Sequence, residues 1–247
     1  MTERRSRAPG SAPTPRVAIF RRCHPNTVSA RPHAVATAPA GGLSFGAELR
    51  RKALHLTALG FPVGIVLVRR PIALAILITM AVVAVALDVL RQRSDVFRGP
   101  FLKVFSGLMR AEEIPDRGAP IVLNGAVWMC IAAAACAILY SAPIAAAALI
   151  MQQIGDAAAA IVGRRFGKNK WPGLRKTLEG SAALAVAAFS SAWLFAQLPV
   201  DGLSEALPVG LLAAGAVTAA LAEALPMPVD DNLRVPLLAG AAMLLVA

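Results

Sequence analysis

The sequence is poor in charged residues and in the residue types that build metal or disulfide sites. Only 16% of its 247 residues are charged, and it contains three cysteines and three histidines. Cys23 stands far from Cys130 and Cys136, which lie six positions apart in one apolar stretch, so no disulfide framework or cysteine metal site is indicated. About a quarter of the residues of a soluble domain are charged, so the composition argues against one.

Long apolar stretches are abundant instead. Hydrophobic residues make up 57% of the chain, and the mean hydropathy is +0.64. A helix crosses a bilayer with about 20 mostly apolar residues, and these stretches lack the period-two alternation of a membrane β-barrel. The sequence therefore predicts an all-α, polytopic membrane protein of about seven transmembrane helices. They are placed at 53–68, 71–90, 119–140, 143–163, 181–198, 207–225 and 235–247.

The distribution of positive charge predicts how these helices are oriented. The net charge is +11, and the basic residues crowd into the N-terminal tail and the stretches 91–117 and 164–176, whereas the loop 199–206 has no Lys or Arg. Basic residues in short loops mark the cytoplasmic side. We therefore expect a cytoplasmic N-terminus, a location in the cell (inner) membrane rather than an organellar one, and no nucleic-acid partner. Arg69 and Arg70 alone fall on the opposite side.

The first 44 residues differ from the rest. They contain seven Arg, a single acid, Glu3, and no apolar run longer than 17–20, which argues against a secretory signal peptide. We expect 1–44 to be a disordered basic tail, or the product of a start codon placed too far upstream. The membrane-embedded domain is then 45–247. The alternative is an organellar transit peptide, for which an Arg-rich, acid-poor composition is typical.

Ionisable residues within the apolar stretches are the first candidates for function, because a charge inside a membrane is costly. Asp88, Asp156 and Glu223 lie in the second, fourth and sixth predicted spans. A further group opens the first span and consists of Glu48, Arg50, Arg51, Lys52 and His55. All these positions fall near the predicted cytoplasmic boundary. Taken singly, each acid could also end a helix or pair with a nearby Arg.

The stretch 155–182 joins an intramembrane acid to a basic loop. Gly155, Ala159 and Gly163 form a smooth helical stripe, which on its own indicates helix packing. Glycine-freed backbone N–H groups, basic side chains and hydroxyls bind phosphate oxygens, and the N-terminal dipole of the next span adds to them. We therefore predict a polyphosphate site formed by Gly163, Gly167, Lys168, Lys176, Thr177, Gly180 and Ser181. It is not a Walker A loop, and the alternative is a basic loop that serves topology alone.

A bound polyphosphate usually brings a divalent cation with it. Mg²⁺ uses one or two carboxylates together with phosphate oxygens and water, so we expect Mg²⁺ as the cofactor. The candidate ligands are the acids near this loop and the acidic pair between the last two spans: Asp156, Glu179, Glu223, Asp230 and Asp231. Adjacent aspartates are also ordinary turn formers, but the predicted topology places the pair on the same face as the phosphate loop.

Three stretches together resemble one family of membrane enzymes. Gly155-Asp156-x-x-Ala159-x-x-x-Gly163-Arg-Arg-Phe-Gly167-Lys, followed by Lys176-Thr177-Leu-Glu179-Gly180-Ser181, is similar to the CTP-handling region of the dolichol kinase, phytol kinase and CTP-dependent diacylglycerol kinase family. Glu48-x-x-Arg51-Lys52-x-x-His55-x-x-x-x-Gly60 resembles its opening motif, and Glu223 with Asp230-Asp231-Asn232-Leu233-x-x-Pro236 its closing one. Asp88 with Arg91, and an acid at Glu113, also fit. The resemblance covers 45–240.

The resemblance implies a membrane-embedded kinase that transfers the γ-phosphate of CTP to the hydroxyl of a long-chain lipid alcohol. It implies that Lys176, Arg51 and Lys52 bind phosphate. Asp156, together with Glu223 or the acidic pair 230–231, would bind Mg²⁺, or one carboxylate would orient or deprotonate the lipid hydroxyl. We expect Asp156 to be essential. The sequence leaves open the oligomeric state and the acceptor, which could be polyprenol, phytol or diacylglycerol.

Two other functions compete with this one. A phosphatidate cytidylyltransferase shares the Asp…Gly…Gly-Lys and Lys-Thr-x-Glu-Gly elements, but it ends in a Lys-Arg…Lys-Asp signature where this chain has Asp230-Asp231-Asn232-Leu233. A non-catalytic transporter would also use intramembrane acids and small-residue helices. Internal repeats would favour the transporter, and the sequence contains no convincing one.

Overall fold

The computed structural model describes residues 45–174 and 176–247. The regular secondary structure of this part of the chain is helical, and an isolated bridge pairs Lys170 with Thr177 outside the helices. The all-α prediction is therefore confirmed for these residues. The predicted tail 1–44 lies outside them, so its assignment stays a prediction.

Ten α-helices follow one another through the described ranges, with three short 3₁₀ turns at Thr57–Leu59, Ser106–Leu108 and Ala111–Glu113. The α-helices are α1 (Phe45–Leu56), α2 (Gly60–Leu67), α3 (Arg70–Arg93), α4 (Asp95–Phe105), α5 (Gly125–Leu139), α6 (Ala142–Phe166), α7 (Leu178–Ala196), α8 (Leu203–Ala206), α9 (Val209–Ala224) and α10 (Asp231–Leu245).

Every predicted span overlaps one of these helices, but their lengths differ. Helices α3, α6 and α7 are long and apolar enough to cross a bilayer, and α5 and α9 are shorter apolar helices. The first predicted span is divided by the 3₁₀ turn between α1 and α2. The third begins only at Gly125, because the Asn124 side chain accepts hydrogen bonds from the N–H groups of Ala126 and Val127 and caps α5. The number of seven spans and the cytoplasmic N-terminus stay predictions.

Helix α6 lies at the centre of the packing. It contacts α2, α5, α7, α9 and α10, and its stretch 144–151 is buried throughout. Half of that stretch is alanine, which lets neighbouring helices approach closely. Helix α3 is different, since apolar side chains such as Ile72 and Val82 are exposed along it. A helix that is apolar all round and covered so little by protein is suited to face lipid.

The small-residue stripe of α6 packs against α7. A Cβ added to Gly155 would lie 2.9 Å from Leu184 Cγ. On the other side of the contact, a Cβ at Gly180 would lie 3.3 Å from both the Ala159 carbonyl oxygen and Gly163 Cα. Helix packing, which the sequence indicated for the stripe alone, is therefore confirmed. This contact sets the N-terminus of α7 beside the end of α6 and so positions the loop between them.

Replacing Gly155 by Val should destabilise the protein by about 1–3 kcal/mol, because the added atoms overpack the contact with Leu184. The measurement is thermal unfolding of the purified protein in detergent. Gly210→Val is the matched control, because Gly210 also lies in a helix but has no atom within 4 Å of its added Cβ. Equal melting temperatures for the two variants would contradict the proposed α6–α7 contact.

Candidate functional site

A polar cleft of about 240 Å³ lies where the ends of several helices meet. Helices α1, α6, α7, α9 and α10 contribute to it, together with residues of the connecting segments. Its charged and hydroxyl lining consists of Arg51, Lys52, Arg110, Asp156, Arg164, Lys176, Thr177, Ser181, Glu223 and Asp231. Gly163 and Gly180 complete the part of the lining that the sequence predicted. Residues from distant parts of the chain are thus gathered at one site.

One ion pair in the cleft joins α1 to α6. The Lys52 ammonium donates a hydrogen bond to Asp156 Oδ2, and His55 Nε2 lies 3.7 Å from the same oxygen. The side chains are little exposed, at 4% for Lys52 and 17% for Asp156. A carboxylate that is largely shielded from water needs a positively charged neighbour. Lys52, on α1 and one helical turn before His55, is that neighbour.

A second ion pair joins the loop before α7 to α9 and α10. Lys176 Nζ donates a hydrogen bond to Glu223 and lies 3.4 Å from Asp231 Oδ2. Burial would lower the pKa of Lys176, but Glu223 and Asp231 outweigh that effect and raise the pKa above its ordinary value. Lys176 therefore stays positively charged at neutral pH. Its side chain is 41% exposed, so an anion in the cleft can reach it.

The segment between α6 and α7 is held by hydrogen bonds at both its ends. The Glu179 carboxylate accepts from the N–H groups of Lys168 at 3.2 Å and Asn169 at 3.0 Å. The Trp171 indole donates to Ser181 Oγ at 3.0 Å, and Thr177 Oγ1 accepts from the N–H of Gly180 and caps α7. Since both hydroxyls only accept here, each retains a proton that it can donate to a phosphate oxygen.

Four predicted site residues serve the surrounding structure and do not line the cleft. Glu179 holds the loop as described above, and Gly167 ends α6 against Thr177. Lys168 is exposed. The Asp230 side chain accepts a hydrogen bond from the N–H of Asn232 and caps α10, and burial raises its pKa. The predicted roles of Glu179 and Asp230 in metal binding and of Gly167 and Lys168 in phosphate binding stay predictions.

A second buried polar group lies beside the cleft and contains the remaining predicted residues. Arg91 Nε donates to Asp88 Oδ1 at 2.6 Å, and the Asn124 amide donates to the same oxygen at 2.5 Å. Glu113 accepts from the N–H of Gly125 at 3.1 Å, and the Asn232 amide donates to the Gly125 carbonyl at 3.3 Å. The group thus ties α3, α5 and α10 together, which fits a positioning role.

An apolar cavity of about 740 Å³ adjoins the cleft. Side chains of α2 and α3 form much of its wall, and the second polar group lies at one end of it. Arg51 lines both the cavity and the cleft. His55 lines the cavity and contacts Asp156, which lines the cleft. The two spaces therefore meet at Arg51, His55 and Asp156.

The carboxylates of the cleft suit a hard cation such as Mg²⁺ when phosphate oxygens supply further ligands. Among residues 45–174 and 176–247, no three His, Cys, Asp or Glu side chains are grouped closely enough to hold a metal ion. Asp156, Glu223 and Asp231 nevertheless line one cleft together with Lys176. Mg²⁺ is commonly held by one or two carboxylates plus substrate phosphates, so this set of oxygen donors fits Mg²⁺ bound with a polyphosphate.

The sequence interpretation missed two cleft residues, Arg110 and Arg164. Both belong to the basic stretches that were used to predict topology, and their surplus of positive charge was the available signal. Arg234, also missed, donates hydrogen bonds to Asp231 and to the Leu225 carbonyl and so fixes the start of α10. Arg234 follows Asp231 by three residues, or about one helical turn, and this spacing was the sequence signal for their ion pair.

Comparison with known proteins finds kinases that the chain resembles over part of its length. A "Probable phytol kinase 3, chloroplastic" of Glycine max is 37% identical over 125 residues, which cover 47% of this chain and 39% of that protein. "Dolichol kinase" of Saccharomyces cerevisiae is 49% identical over 41 residues, or 17% of this chain and 8% of the yeast protein. Over these stretches the chain is similar to phytol and dolichol kinases.

The matched stretches make up only part of the kinases named above. The chain spans about two fifths of the length of the soybean kinase it matches. An uncharacterized protein of Rickettsia prowazekii is 25% identical over 194 residues, which cover 78% of this chain and 91% of that protein. No protein-family model matches the chain, and no solved structure matches it.

Proposed function

We propose that this protein is a membrane-embedded lipid kinase that transfers the γ-phosphate of CTP to the hydroxyl of a long-chain lipid alcohol. The observation that carries the proposal is the meeting of a basic polar cleft and an apolar cavity at Arg51, His55 and Asp156. One space suits a polyphosphate and the other a hydrocarbon chain. A reaction that joins a phosphate to a lipid needs both spaces side by side.

The residues of the cleft take complementary roles in this proposal. Lys176 and Arg51 bind the polyphosphate, and Thr177 and Ser181 donate hydrogen bonds to its oxygens. Lys52 balances the charge of Asp156 and holds it at the mouth of the cavity. Asp156 accepts the proton of the lipid hydroxyl as its oxygen attacks the γ-phosphorus. The new O–P bond forms while the bond to the β-phosphate oxygen breaks, and CDP leaves.

In this proposal Mg²⁺ is held partly by protein carboxylates and partly by the phosphates of the substrate. Glu223 and Asp231 are the residues that would hold it together with the phosphates, while Asp156 is left to the lipid hydroxyl. When bound, the ion neutralises charge on the transferring phosphate. The residues of this chain then carry out positioning, since phosphoryl transfer depends mostly on alignment and charge stabilisation.

The location and the nucleotide are parts of the same proposal. The apolar helices α3, α6 and α7 support insertion into a membrane. The basic stretches support the cell (inner) membrane as the location, with the cleft at its cytoplasmic face. The names of the plant relatives include the word "chloroplastic", so an organellar membrane is the alternative location. CTP as donor is supported by the motif resemblance around Asp156 and Lys176.

Transfer of radioactive label tests the proposed function directly. Purified protein in detergent is supplied with Mg²⁺, CTP labelled at either the α or the γ phosphate, and a panel of phytol, polyprenol, diacylglycerol and phosphatidate. We expect label in lipid from γ-labelled CTP with an alcohol acceptor. Label from the α position with phosphatidate would instead identify a cytidylyltransferase. A folded preparation that labels no acceptor would contradict both enzymes and favour a transporter.

A further inference from the structure

Residues 106–113, between α4 and α5, form a partition between the apolar cavity and the polar cleft. Leu108, Met109 and Glu113 line the cavity, whereas Arg110 lines the cleft. The backbone is extended at Met109 (φ −94°, ψ 150°) and at Arg110 (φ −76°, ψ 156°). Successive side chains of an extended chain point to opposite faces. These two neighbours therefore face different spaces, Met109 the cavity and Arg110 the cleft.

Hydrogen bonds hold the backbone of Arg110 in place. Its N–H donates to Glu113 Oε2 at 2.9 Å, and its carbonyl accepts from the Glu113 N–H at 3.0 Å. Glu113 is buried. Its Oε1 accepts from the N–H of Gly125 at 3.1 Å, and its carbonyl accepts from the Arg91 guanidinium at 3.0 Å. Both backbone groups of Arg110 are thus tied to α3 and α5 through Glu113, while its side chain reaches the cleft.

The charge of the half-buried Arg110 side chain is not neutralised by an ion pair. Lys52 and Lys176, the lysines of the cleft, each pair with a carboxylate. Within the part of the chain that the structure describes, the Arg110 guanidinium forms no such pair. Its charge acts on Asp230, whose pKa it lowers against the raising effect of burial. A guanidinium in this setting suits a phosphate, to which its planar fork can donate two parallel hydrogen bonds.

The position of Arg110 beside the cavity indicates which phosphate it reaches. The phosphate that is transferred must approach the lipid hydroxyl, so it lies at the end of the cleft nearest the cavity. Arg110 directly follows Met109, a residue of the cavity wall, and so lies at that end. Lys176 instead lies between Glu223 of α9 and Asp231 of α10, where it can bind another part of the polyphosphate.

From this arrangement we propose that Arg110 binds the terminal phosphate of the bound polyphosphate and that Glu113 is its positioning residue. The inference rests on the proposed function, since it adds two residues to that site. The guanidinium stabilises negative charge on the oxygens of the phosphate that is transferred. Glu113 acts only through the backbone of Arg110 and does not touch the substrate.

Isothermal titration calorimetry with inorganic tripolyphosphate and Mg²⁺ tests the phosphate contact on the purified protein in detergent. Arg110→Met should weaken binding at least about tenfold, because hydrogen bonds to a charged group are lost. Arg117→Met is the matched control, because it removes the same charge from the same connecting segment. Arg117 is 67% exposed, pairs with Asp95 and lines neither space. Its loss should change the affinity by less than about threefold.

A comparison of CTP with CDP tests which phosphate is bound. Arg110→Met should weaken the binding of CTP at least about tenfold and that of CDP by less than about threefold, because CDP lacks the terminal phosphate.

The variant Glu113→Gln tests the positioning role, because an amide cannot accept hydrogen bonds from both Arg110 and Gly125. It should weaken tripolyphosphate binding in the otherwise unchanged protein. In the Arg110→Met background it should have no further effect, because the two residues act through one contact. A merely structural role of Glu113 would give the same loss in both backgrounds.

The results have definite meanings. Equal affinities of Arg110→Met and Arg117→Met for tripolyphosphate, or a wild type that binds none, overturn the phosphate contact. Equal losses of CTP and CDP overturn the assignment to the terminal phosphate, and additive effects of Glu113→Gln and Arg110→Met overturn the positioning role. Gel filtration and melting temperature establish that each variant is folded. If Arg110→Met is not, Arg110→Lys decides, since it keeps the charge but loses the fork and should bind at least about threefold more weakly.

The failure of this inference can be told apart from the failure of the proposed function. No lipid is present in the binding experiments, so tripolyphosphate binding can depend on Arg110 even if the labelling assay detects no transfer. A wild type that binds tripolyphosphate but not CTP contradicts the proposed donor instead. Transfer of the γ-phosphate by an Arg110→Met variant with unchanged affinity would leave the proposed function standing and overturn the inference.

Discussion

The Asp156→Asn variant is expected to lose lipid phosphorylation, with kcat reduced by about 10³-fold. Asp156 lies where the cleft and the cavity meet, beside Lys52 and His55. An amide keeps the shape of the carboxylate but accepts no proton and carries no charge. The measurement is transfer of label from γ-labelled CTP to the preferred alcohol, with membrane insertion followed in parallel by fractionation. Insertion should be unchanged, because the rest of α6 is untouched.

Two further variants separate chemistry from stability in this experiment. Removing the Asp156 charge leaves the buried Lys52 ammonium with one counter-charge fewer, which can destabilise the fold. The double variant Asp156→Asn, Lys52→Met should recover melting temperature and remain inactive. Asp201→Asn, in an exposed turn, should retain full activity. Retention of activity by Asp156→Asn would remove Asp156 from the reaction.

Replacing Lys176 by Met is expected to lower kcat/KM for CTP by about 10²–10³-fold. Lys176 brings a permanent positive charge into the cleft between Glu223 and Asp231, and the loss of such a donor to a transferring phosphate is typically of this size. Without the Lys176 ammonium, less positive charge offsets the repulsion between the two carboxylates and the phosphates. Steady-state kinetics with varied CTP measure the effect, and a rise in KM should accompany the fall in kcat.

Lys170→Met is the matched control for Lys176. Both residues belong to the same basic loop, but Lys170 is exposed and does not line the cleft, so its loss should change kcat/KM by less than about threefold. Similar effects of the two variants would show that the loop acts by its overall charge.

Because the pKa of Lys176 is raised, its charge persists as the pH rises through its ordinary value of about 10.4. Lys176 should therefore produce no loss of activity between pH 6 and 9.

Much of the fold could be predicted because its determinants are local in sequence. An apolar run must become a helix in a membrane, since every backbone N–H and C=O must be paired internally, and each predicted span overlaps a helix. The division of the first span at Thr57–Leu59 was not predicted. The residues immediately before and after this turn are mostly apolar, so an apolar run does not mark it.

The site was predicted in part for a related reason. Ionisable residues are rare in apolar stretches, and this rarity predicted a functional role for Asp156, Glu223, Lys52 and Arg51. The structure brings these four residues to one cleft. Glu179 belongs to the same motif as Lys176, yet its side chain turns to the backbone of the loop. Spacing along the chain places residues near one another but does not determine which hydrogen bonds each side chain makes.

The amino-acid sequence by itself determined that the chain is helical, where charges enter its apolar stretches, and which family it resembles, because these properties depend on composition and short motifs. Only the tertiary structure decided that Arg110 faces the cleft, that Asp230 caps a helix, and that an apolar cavity opens beside Asp156. A cavity is space between helices distant in sequence, so its length and width follow from packing.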